Sequence, residues 1–244
     1  MRPGPRRSLT HAEILAAAFD LLETKGFAAV SVRGVAGSLG ITPTALYTYY
    51  PSKRALLRGM IEHLLARLDL GTAEVTEQAE VTELAEVIEQ AEVTGPITVH
   101  ALRARLVRLA LSLRELLTGH AGTLELIMSG PLDGPNAMRL NEALLDSFSA
   151  AGLALDDAAR AAYALQAFAL GSIALESAAE IDVEADAATS EPLIMTDAPG
   201  AALWTDLARF PLSEQTAVVA AERTSTAQFV WGVEGLLAGL LARG

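Results

Sequence analysis

The chain has 244 residues, of which 51% are hydrophobic, and a formal net charge of −12. It contains no cysteine, which excludes disulfides and thiolate catalysis and is compatible with a reducing, cytoplasmic location. Few stretches alternate apolar with polar residues, so an all-α fold is predicted. The N-terminus lacks the features of a signal peptide. The longest apolar stretch, Ala161 to Leu175, is shorter than the ~18 to 20 residues of a membrane span, so we expect a soluble protein without membrane contact.

The charges are distributed unevenly along the chain. Residues 1–67 hold nine Lys/Arg against four Asp/Glu, a balance of +5. The remainder holds nine basic and 26 acidic residues, a balance of −17. This asymmetry favours a basic segment that contacts an anionic partner, joined to an acidic body.

The first two predicted helices have recognisable ends. Thr10 and Glu13 form a capping box, in which each side chain satisfies a free backbone donor of the first turn. Apolar residues then recur at helical spacing up to Gly26, which suits a left-handed helix exit. The second helix begins at Ser31 and ends at Gly40.

The third predicted helix is short and sharply bounded. Thr42 is a good N-cap, and Pro43 suits the first helical position. Pro51 ends the helix after about eight residues, and Ser52 can cap the next one, which runs to about Leu68. Two helices joined by a three-residue turn predict a helix-turn-helix.

A helical wheel indicates what the third helix presents to its surroundings. Leu46 and Tyr50 share the core face, whereas Thr44 and Thr48 point outward. The other residues, Ala45, Tyr47 and Tyr49, lie on the flanks or at the edge. The outward face is small, carries hydroxyls and has no acid. It suits the major groove of DNA, where threonine can bond base edges or contact a thymine methyl group. The alternative is a tight helical turn that carries core tyrosines.

The segment SVRGVAGSLGITPTALYTYYPSKRALL, from Ser31 to Leu57, resembles the helix-turn-helix of the tetracycline-repressor (TetR) family. Its most specific parts are the Leu-Tyr pair, the aromatic residue two positions later and the Pro-Ser-Lys-x-x-Leu-Leu ending. The resemblance is strong over residues 10–68. It implies base-edge contacts from Arg33, Pro43, Thr44 and Tyr47, and phosphate contacts from Ser31, Thr42, Tyr49 and Lys53. Ala45 stands where many members carry a hydroxyl or glycine, so its contact is reduced to van der Waals packing.

The rest of the chain is similar, more loosely, to the regulatory domain of the tetracycline repressor. The similar segments are 113–122, 134–158 and 164–178. This type of domain implies a four-helix dimer bundle and a ligand cavity in each body. Ile127 and Leu175 stand at the two positions that hold magnesium in the tetracycline repressor itself, so we expect no metal, no cofactor and a different ligand. Candidate ligand-binding residues are Leu109, Leu113, His120, Ile127, Met128, Phe148, Tyr163 and Gln166.

An acidic repeat precedes the body. In residues 73–94 a glutamate recurs every third position, which distributes the acids around every face of a helix. Such a segment cannot bury much surface and is predicted to be a solvated helix extension or a linker.

Several features of the body have two interpretations. The arginines of the helix that carries Leu102 to Leu116 can bind nucleic acid or pair with nearby acids. His120 can cap a helix or line the cavity, and Gln166 can orient a ligand or satisfy a helix end. An apolar helix from Asp156 to about Ile181 should be buried on several sides. A long loop is predicted over 182–212, and the last helix from Ser213 to Ala242. The apolar helix from Asp156 and the last helix are together the best candidates for a two-fold interface.

Together these observations predict four regions: a helix-turn-helix domain over 1–51, a connecting helix over 52–72, the acidic linker over 73–95 and a helical ligand-binding and dimerisation domain over 96–244. The predicted function is a non-enzymatic transcriptional regulator, a homodimeric repressor that a small apolar or amphipathic molecule releases from palindromic double-stranded DNA. The alternative is a small-molecule-binding or catalytic helical protein whose N-terminal helices only pack, although no convergent set of acids and bases is present.

Overall fold

A computed structural model describes residues 9–70, 99–120, 122–189 and 210–242, without the side chains of residues 179–189. The described residues form helices and no strand, which confirms the all-α prediction. Contacts divide the chain into two compact units. The first unit comprises Met1–Glu77 with Glu115–Asp146, and the second comprises Gln78–Arg114 with Ser147–Gly244. This division groups residues 115–146 with the N-terminal helices, and the four predicted regions stay a prediction. The acidic repeat lies outside the described residues.

The first unit begins with four helices: α1 (His11–Lys25), α2 (Val32–Ser38), α3 (Pro43–Tyr47) and α4 (Lys53–Leu65). A short 3-10 turn, Phe27–Ala29, links α1 to α2. The capping box of Thr10 and Glu13 is present, and Gly26 ends α1 at a φ of 75°. Thr42 and Ser52 cap α3 and α4 as predicted. Ser31, where the second helix was predicted to begin, is the cap of α2, which ends at Ser38 instead of Gly40. The sequence signals at helix starts are therefore confirmed.

The predicted length of α3 is wrong, because the helix has five residues instead of about eight. After Tyr47 the backbone tightens, since the N–H groups of Thr48 and Tyr49 each bond the carbonyl three residues earlier. The Thr48 hydroxyl also donates to the Ala45 carbonyl at 2.7 Å, a local bond that competes with the helical pattern.

Close packing holds the N-terminal helices together. Ile14, Leu22, Leu46, Leu56 and Met60 are almost completely buried. A Cβ at Gly34 of α2 would overlap with the Ala29 carbonyl oxygen, so this close approach requires glycine.

The first unit also contains the end of α5 (Val99–Thr118), all of α6 (Thr123–Ser129) and the start of α7 (Pro135–Ala150). Thr123 is buried, and its hydroxyl donates to the carbonyls of Leu117 and His120 at 2.8 and 2.7 Å. This shared donor fixes the turn between α5 and α6.

The second unit contains α8 (Leu155–Thr189), α9 (Pro211–Gln215), α10 (Ala217–Ala221) and α11 (Thr226–Leu241). The loop predicted over 182–212 is wrong at both ends, because α8 continues to Thr189 and α9 begins at Pro211; residues 190–209 lie outside the described residues. The prediction of one continuous last helix from Ser213 to Ala242 is also wrong. The Ser225 hydroxyl caps a new helix by accepting from the Gln228 N–H at 3.1 Å, which separates α11 from α10.

Over residues 161–177 α8 is buried or half-buried except along one stripe at a spacing of four, on which Tyr163 and Leu175 are 75% and 73% exposed. This agrees with the expected burial on several sides and leaves one side open within a single chain. By length and composition its segment Leu155–Ala178 could also cross a membrane, although Ala161 to Leu175 alone falls short. Apolar core helices of soluble proteins pass the same test. Within its unit α8 packs on α11, where the rings of Phe168 and Phe229 lie 6.1 Å apart.

Candidate nucleic-acid interface

The helix-turn-helix consists of α2, a tight turn and α3. Gly40 occupies the turn at a φ of 65°, where a side chain would be strained. The Ile41 N–H then donates to the Ala36 carbonyl at 3.0 Å and closes the end of α2. These backbone bonds determine where α3 begins and therefore which of its residues face outward.

The two faces of α3 differ as predicted. Leu46 is completely buried and Tyr50, just beyond the helix, is 7% exposed. Burial raises the pKa of the Tyr50 hydroxyl above its ordinary value. The outward face is formed by exposed residues, namely Thr42, Pro43, Thr44, Ala45, Tyr47 and Thr48. The helix therefore presents small and hydroxyl-bearing side chains on the surface that the sequence assigned to DNA.

The capping hydroxyls retain the chemistry needed for a phosphate. Ser31 Oγ accepts from the Gly34 N–H at 3.0 Å, and Thr42 Oγ1 accepts from the Ala45 N–H at 3.3 Å. In both contacts the hydroxyl is the acceptor, so its own O–H group can donate to a phosphate oxygen. Thr48 is the reverse case, because its O–H bonds Ala45 and only its lone pairs and methyl group face outward.

Basic and aromatic residues border this face. Arg33 of α2 and Lys53 at the start of α4 are exposed, and the Lys53 ammonium lies 5.0 Å from the centre of the Phe27 ring. This cation–π contact orients the lysine without neutralising it. Tyr49 is half-buried, and its ring packs edge-on against the His11 ring at 5.4 Å.

His11 has a positioning role that the sequence did not reveal. Its ring also lies 5.4 Å from the Tyr50 ring, so the first residue of α1 packs against both tyrosines that follow α3. The only available signal was the position of His11 at the start of an amphipathic helix. Such a position does not predict which distant ring it meets.

The predicted ligand-binding residues fall in both units. In the first unit Ile127 is buried, Met128 is exposed, and His120 Nδ1 lies 2.8 Å from Glu23 Oε1 of α1. In the second unit Leu109, Leu113 and Phe148 are buried, Gln166 is half-buried and Tyr163 is exposed. The ligand site stays a prediction. An open groove of about 420 Å³ in the second unit is lined by other residues: Val99, His100, Arg103, Ala238, Leu241 and Ala242.

An ion-pair cluster in the second unit shows what one arginine of α5 does, where the sequence left open nucleic-acid binding or pairing with acids. Arg114 bonds both carboxylate oxygens of Glu176 on α8, at 2.9 and 2.5 Å. It also donates to the Thr226 hydroxyl and the Thr224 carbonyl at the start of α11. At this arginine, pairing with acids of the body is the correct interpretation. Arg103 lies near Glu234 in the same way, with a 3.9 Å separation.

Two models of known families match the sequence. "Tetracyclin repressor-like, C-terminal domain" matches residues 96–243, which is more than half of the chain. "Bacterial regulatory proteins, tetR family" matches residues 14–60, which include α2, α3 and most of α1 and α4.

Individual relatives agree with these matches. The chain is 46% identical over 66 residues to the HTH-type transcriptional regulator EthR of Mycolicibacterium smegmatis, covering 27% of this chain and 30% of that protein. It is 28% identical over 169 residues to an HTH-type transcriptional regulator of Saccharopolyspora erythraea, covering 69% and 61%. The matched part is thus less than two thirds of either curated relative.

Similarity to a solved structure extends over almost the whole chain. A possible TetR family transcriptional regulator from Streptomyces coelicolor A3(2) aligns with 96% of this chain and 100% of its own, at a TM-score of 0.70 and 26% identity. Members of this family are DNA-binding regulators and generally not enzymes. From the matched domains, the exposed face of α3 and this shared fold, we conclude that the chain belongs to the TetR family of transcriptional regulators.

Proposed function

We propose that the protein is a homodimeric repressor that leaves a palindromic operator when a small apolar or amphipathic molecule binds its body. The observation that carries this proposal is the outward face of α3. It exposes Thr44, Tyr47 and Thr48 while Leu46 is completely buried, and it carries no acid. Such a helix fits the major groove and lacks the apolar bulk that a protein partner would cover.

The contacts divide into two classes by their chemistry. Arg33, Pro43, Thr44 and Tyr47, with Thr48 and Ala45 beside them, meet base edges and determine which sequence is bound. Ser31, Thr42, Tyr49 and Lys53 meet phosphates and determine the register and the salt dependence. The hydroxyl donors of Ser31 and Thr42 support this division, because capping leaves them available.

Exposed apolar side chains in the second unit support the dimer. Tyr163 and Leu175 lie three turns apart on α8, and Trp231 of α11 is 72% exposed. The exposed α8 positions between those two residues are Ala167 and Gly171, so the stripe is free of charge over this length. An exposed apolar surface of this kind is costly in water and favours burial against a second copy. A dimer would place two α3 helices in successive major grooves, about 34–36 Å apart.

Regulation follows from the coupling of two binding equilibria. A ligand that binds the DNA-incompetent conformation more tightly lowers DNA affinity, and DNA lowers ligand affinity by the same factor. Buried Leu109, Leu113 and Phe148 supply apolar surface in the second unit, and half-buried Gln166 of α8 supplies a polar group in the same unit. This combination suits an apolar or amphipathic ligand.

Selection from random duplex DNA tests the proposal. The full chain should enrich a palindrome whose half-sites lie about one helical turn apart, and log affinity should fall steeply with log salt. A folded, ligand-free protein that enriches no sequence would overturn the regulator assignment. The enriched complex then provides the assay in which small molecules are screened for release of DNA.

A further inference from the structure

Three residues of α4 at a spacing of four form one stripe along the helix: Arg54, Arg58 and Glu62. All three contact the short segment that precedes and begins α7, within the first unit. We call this set of contacts the α4 anchor. It comprises the three stripe residues together with Asp133, Asn136 and Ala137.

The N-terminal half of the anchor is an ion-pair cluster around Asp133. Arg58 donates through Nε to Oδ1 at 2.7 Å and through Nη2 to Oδ2 at 2.6 Å, which is the bidentate arrangement. Arg54 Nη2 adds a third bond to Oδ2 at 3.1 Å. The hydrogen bonds from Arg58 are the main cause that lowers the pKa of the Asp133 carboxyl to about 2.

The C-terminal half of the anchor has the opposite polarity. The Glu62 carboxylate accepts from the backbone N–H groups of Asn136 and Ala137 at 2.7 and 3.1 Å, in the first turn of α7. The Asn136 side-chain amide donates back to the Glu62 carbonyl at 3.0 Å. A carboxylate from α4 therefore caps the positive end of another helix.

The alternation of charge gives α4 a single register against α7. If α4 shifted by one turn toward its own N-terminus, Glu62 would take the place of Arg58 and face Asp133, a contact between like charges. A shift the other way would place Arg58 at the positive end of α7. Both displacements lose favourable contacts and create repulsion, so the anchored register is strongly preferred.

A close approach of the backbone accompanies these contacts. A Cβ at Gly134 would overlap with the Glu62 carboxyl group, and a Cβ at Gly130 would overlap with Ile61 of α4. The segment 130–137 can follow α4 at this distance because both positions are glycine.

The position of α4 in turn determines the position of α3. Leu46 of α3 and Leu56 and Met60 of α4 are each completely buried in the first unit. The Tyr50 ring packs over Gly59, where a Cβ would meet its Cε1 atom at 2.7 Å. α1 contacts both α2 and α4, and its His11 ring packs on Tyr50, so a displacement of α4 would disturb the packing that positions α3.

We propose that Asp133 and Glu62 are positioning residues for operator recognition: through the α4 anchor they hold the recognition helix in the orientation that matches DNA. This inference rests on the proposed function and names the residues by which the segment 115–146 controls it. Asp133 and Glu62 act through α4, and neither belongs to the predicted DNA-contacting set.

The test compares the full-length variants Asp133→Asn and Glu62→Gln with wild type on the selected operator and on a scrambled duplex. We expect each variant to lose about tenfold in operator affinity, within the range of coupling changes known for residues that contact neither ligand. Affinity for the scrambled duplex and the salt slope should stay unchanged. Asp133→Glu should retain most of the operator affinity, because it keeps the carboxylate.

The control is Asp157→Asn, which removes an acid from an exposed ion pair with Arg160 in the second unit. It should bind both duplexes like wild type. Circular dichroism and sedimentation establish that each variant is folded and keeps the wild-type oligomeric state, and Asp133→Glu provides the comparison if Asp133→Asn does not fold.

A different result overturns the inference. If Asp133 acts only by its charge, its removal strengthens binding to both duplexes, and most strongly at low salt. Equal affinity of wild type and both variants for the operator would also refute the anchor while leaving the repressor intact. A wild-type protein that selects no operator would overturn the proposed function and this inference together.

Discussion

The exposed surfaces of α3 and α8 differ in kind, although both helices bury apolar side chains: Leu46 on α3, and mainly alanines on α8. The outward residues of α3 are threonine, alanine and tyrosine, bordered by Arg33 and Lys53. Those of α8 between Tyr163 and Leu175 are small and apolar. Exposure to water costs little free energy for the polar surface of α3 and more for the apolar surface of α8. In the proposed function, α3 accordingly meets the anionic DNA, whereas α8 meets a second copy of the chain.

The largest expected effect comes from a charge on the apolar surface of α8. Leu175→Glu should produce a monomer, because the acid would have to be buried in the dimer without a partner. Operator affinity should then fall by about 10² to 10⁴, since the second half-site is no longer bound in an intramolecular step. Sedimentation measures the mass, and Met138→Glu on α7 is the control at another exposed apolar residue. A dimeric Leu175→Glu variant would exclude this surface as the interface.

Removal of a side chain from the polar surface of α3 should have the next largest effect. Tyr47→Ala should weaken operator binding about 10- to 100-fold, the range for one specific base contact. Fluorescence anisotropy on operator and scrambled duplexes should show the loss only on the operator. Tyr47→Phe distinguishes the hydroxyl from the ring. Unchanged affinity of Tyr47→Ala would place the base-reading surface elsewhere.

The phosphate contacts should have a smaller and less selective effect. Lys53→Ala should weaken binding to all duplexes alike and lower the salt slope by about one. Lys25→Ala, at the exposed end of α1, is the matched control and should leave the slope unchanged. Equal slopes for both variants and wild type would show that Lys53 contacts no phosphate.

Substitution of two helix caps in the first unit distinguishes an effect on folding stability from an effect on DNA binding. Thr10→Ala and Thr42→Ala should each lower the free energy of unfolding by about 1 kcal/mol, because each hydroxyl accepts from a first-turn N–H group. Only Thr42→Ala should also weaken DNA binding, as Thr42 belongs to the α3 surface. Chemical denaturation and anisotropy measure the two effects. An equal loss of DNA affinity in Thr10→Ala would show that capping alone explains it.

The smallest expected effect is a change in the free energy of unfolding that is confined to acidic pH. The hydrogen bonds from Arg58, with smaller contributions from Arg54 and from the charges of both arginines, lower the pKa of Asp133 from 3.8 to about 2, so the folded state favours the ionised form. This contribution to stability is complete above pH 3.8 and is lost as the pH falls toward 2. The unfolding free energies of wild type and Asp133→Asn should therefore differ at pH 5 and converge near pH 2. A difference independent of pH would show that charge is not its source.

Short-range chemistry made the N-terminal helices predictable. Thr10, Ser31, Thr42 and Ser52 cap helices within three residues of their own position, so each start could be inferred from a few letters. The faces of α3 followed from helical geometry, because Leu46 needs burial and Thr44 does not. The body was less predictable: its helix ends depended on contacts such as the Ser225 cap, and the apolar pattern placed the start of the last helix at Ser213 instead of Thr226.

The amino-acid sequence by itself determined the all-α class, the helix-turn-helix with its small outward surface and the TetR family, since these depend on local spacing and on quoted motifs. Only the tertiary structure decided that Arg54, Arg58 and Glu62 face Asp133 and the start of α7, 74 to 79 residues later, and that Arg114 pairs with Glu176. Charged side chains on a helix have many possible partners of opposite charge. Packing of the buried leucines and the close approach at Gly134 select which of those partners comes within bonding distance.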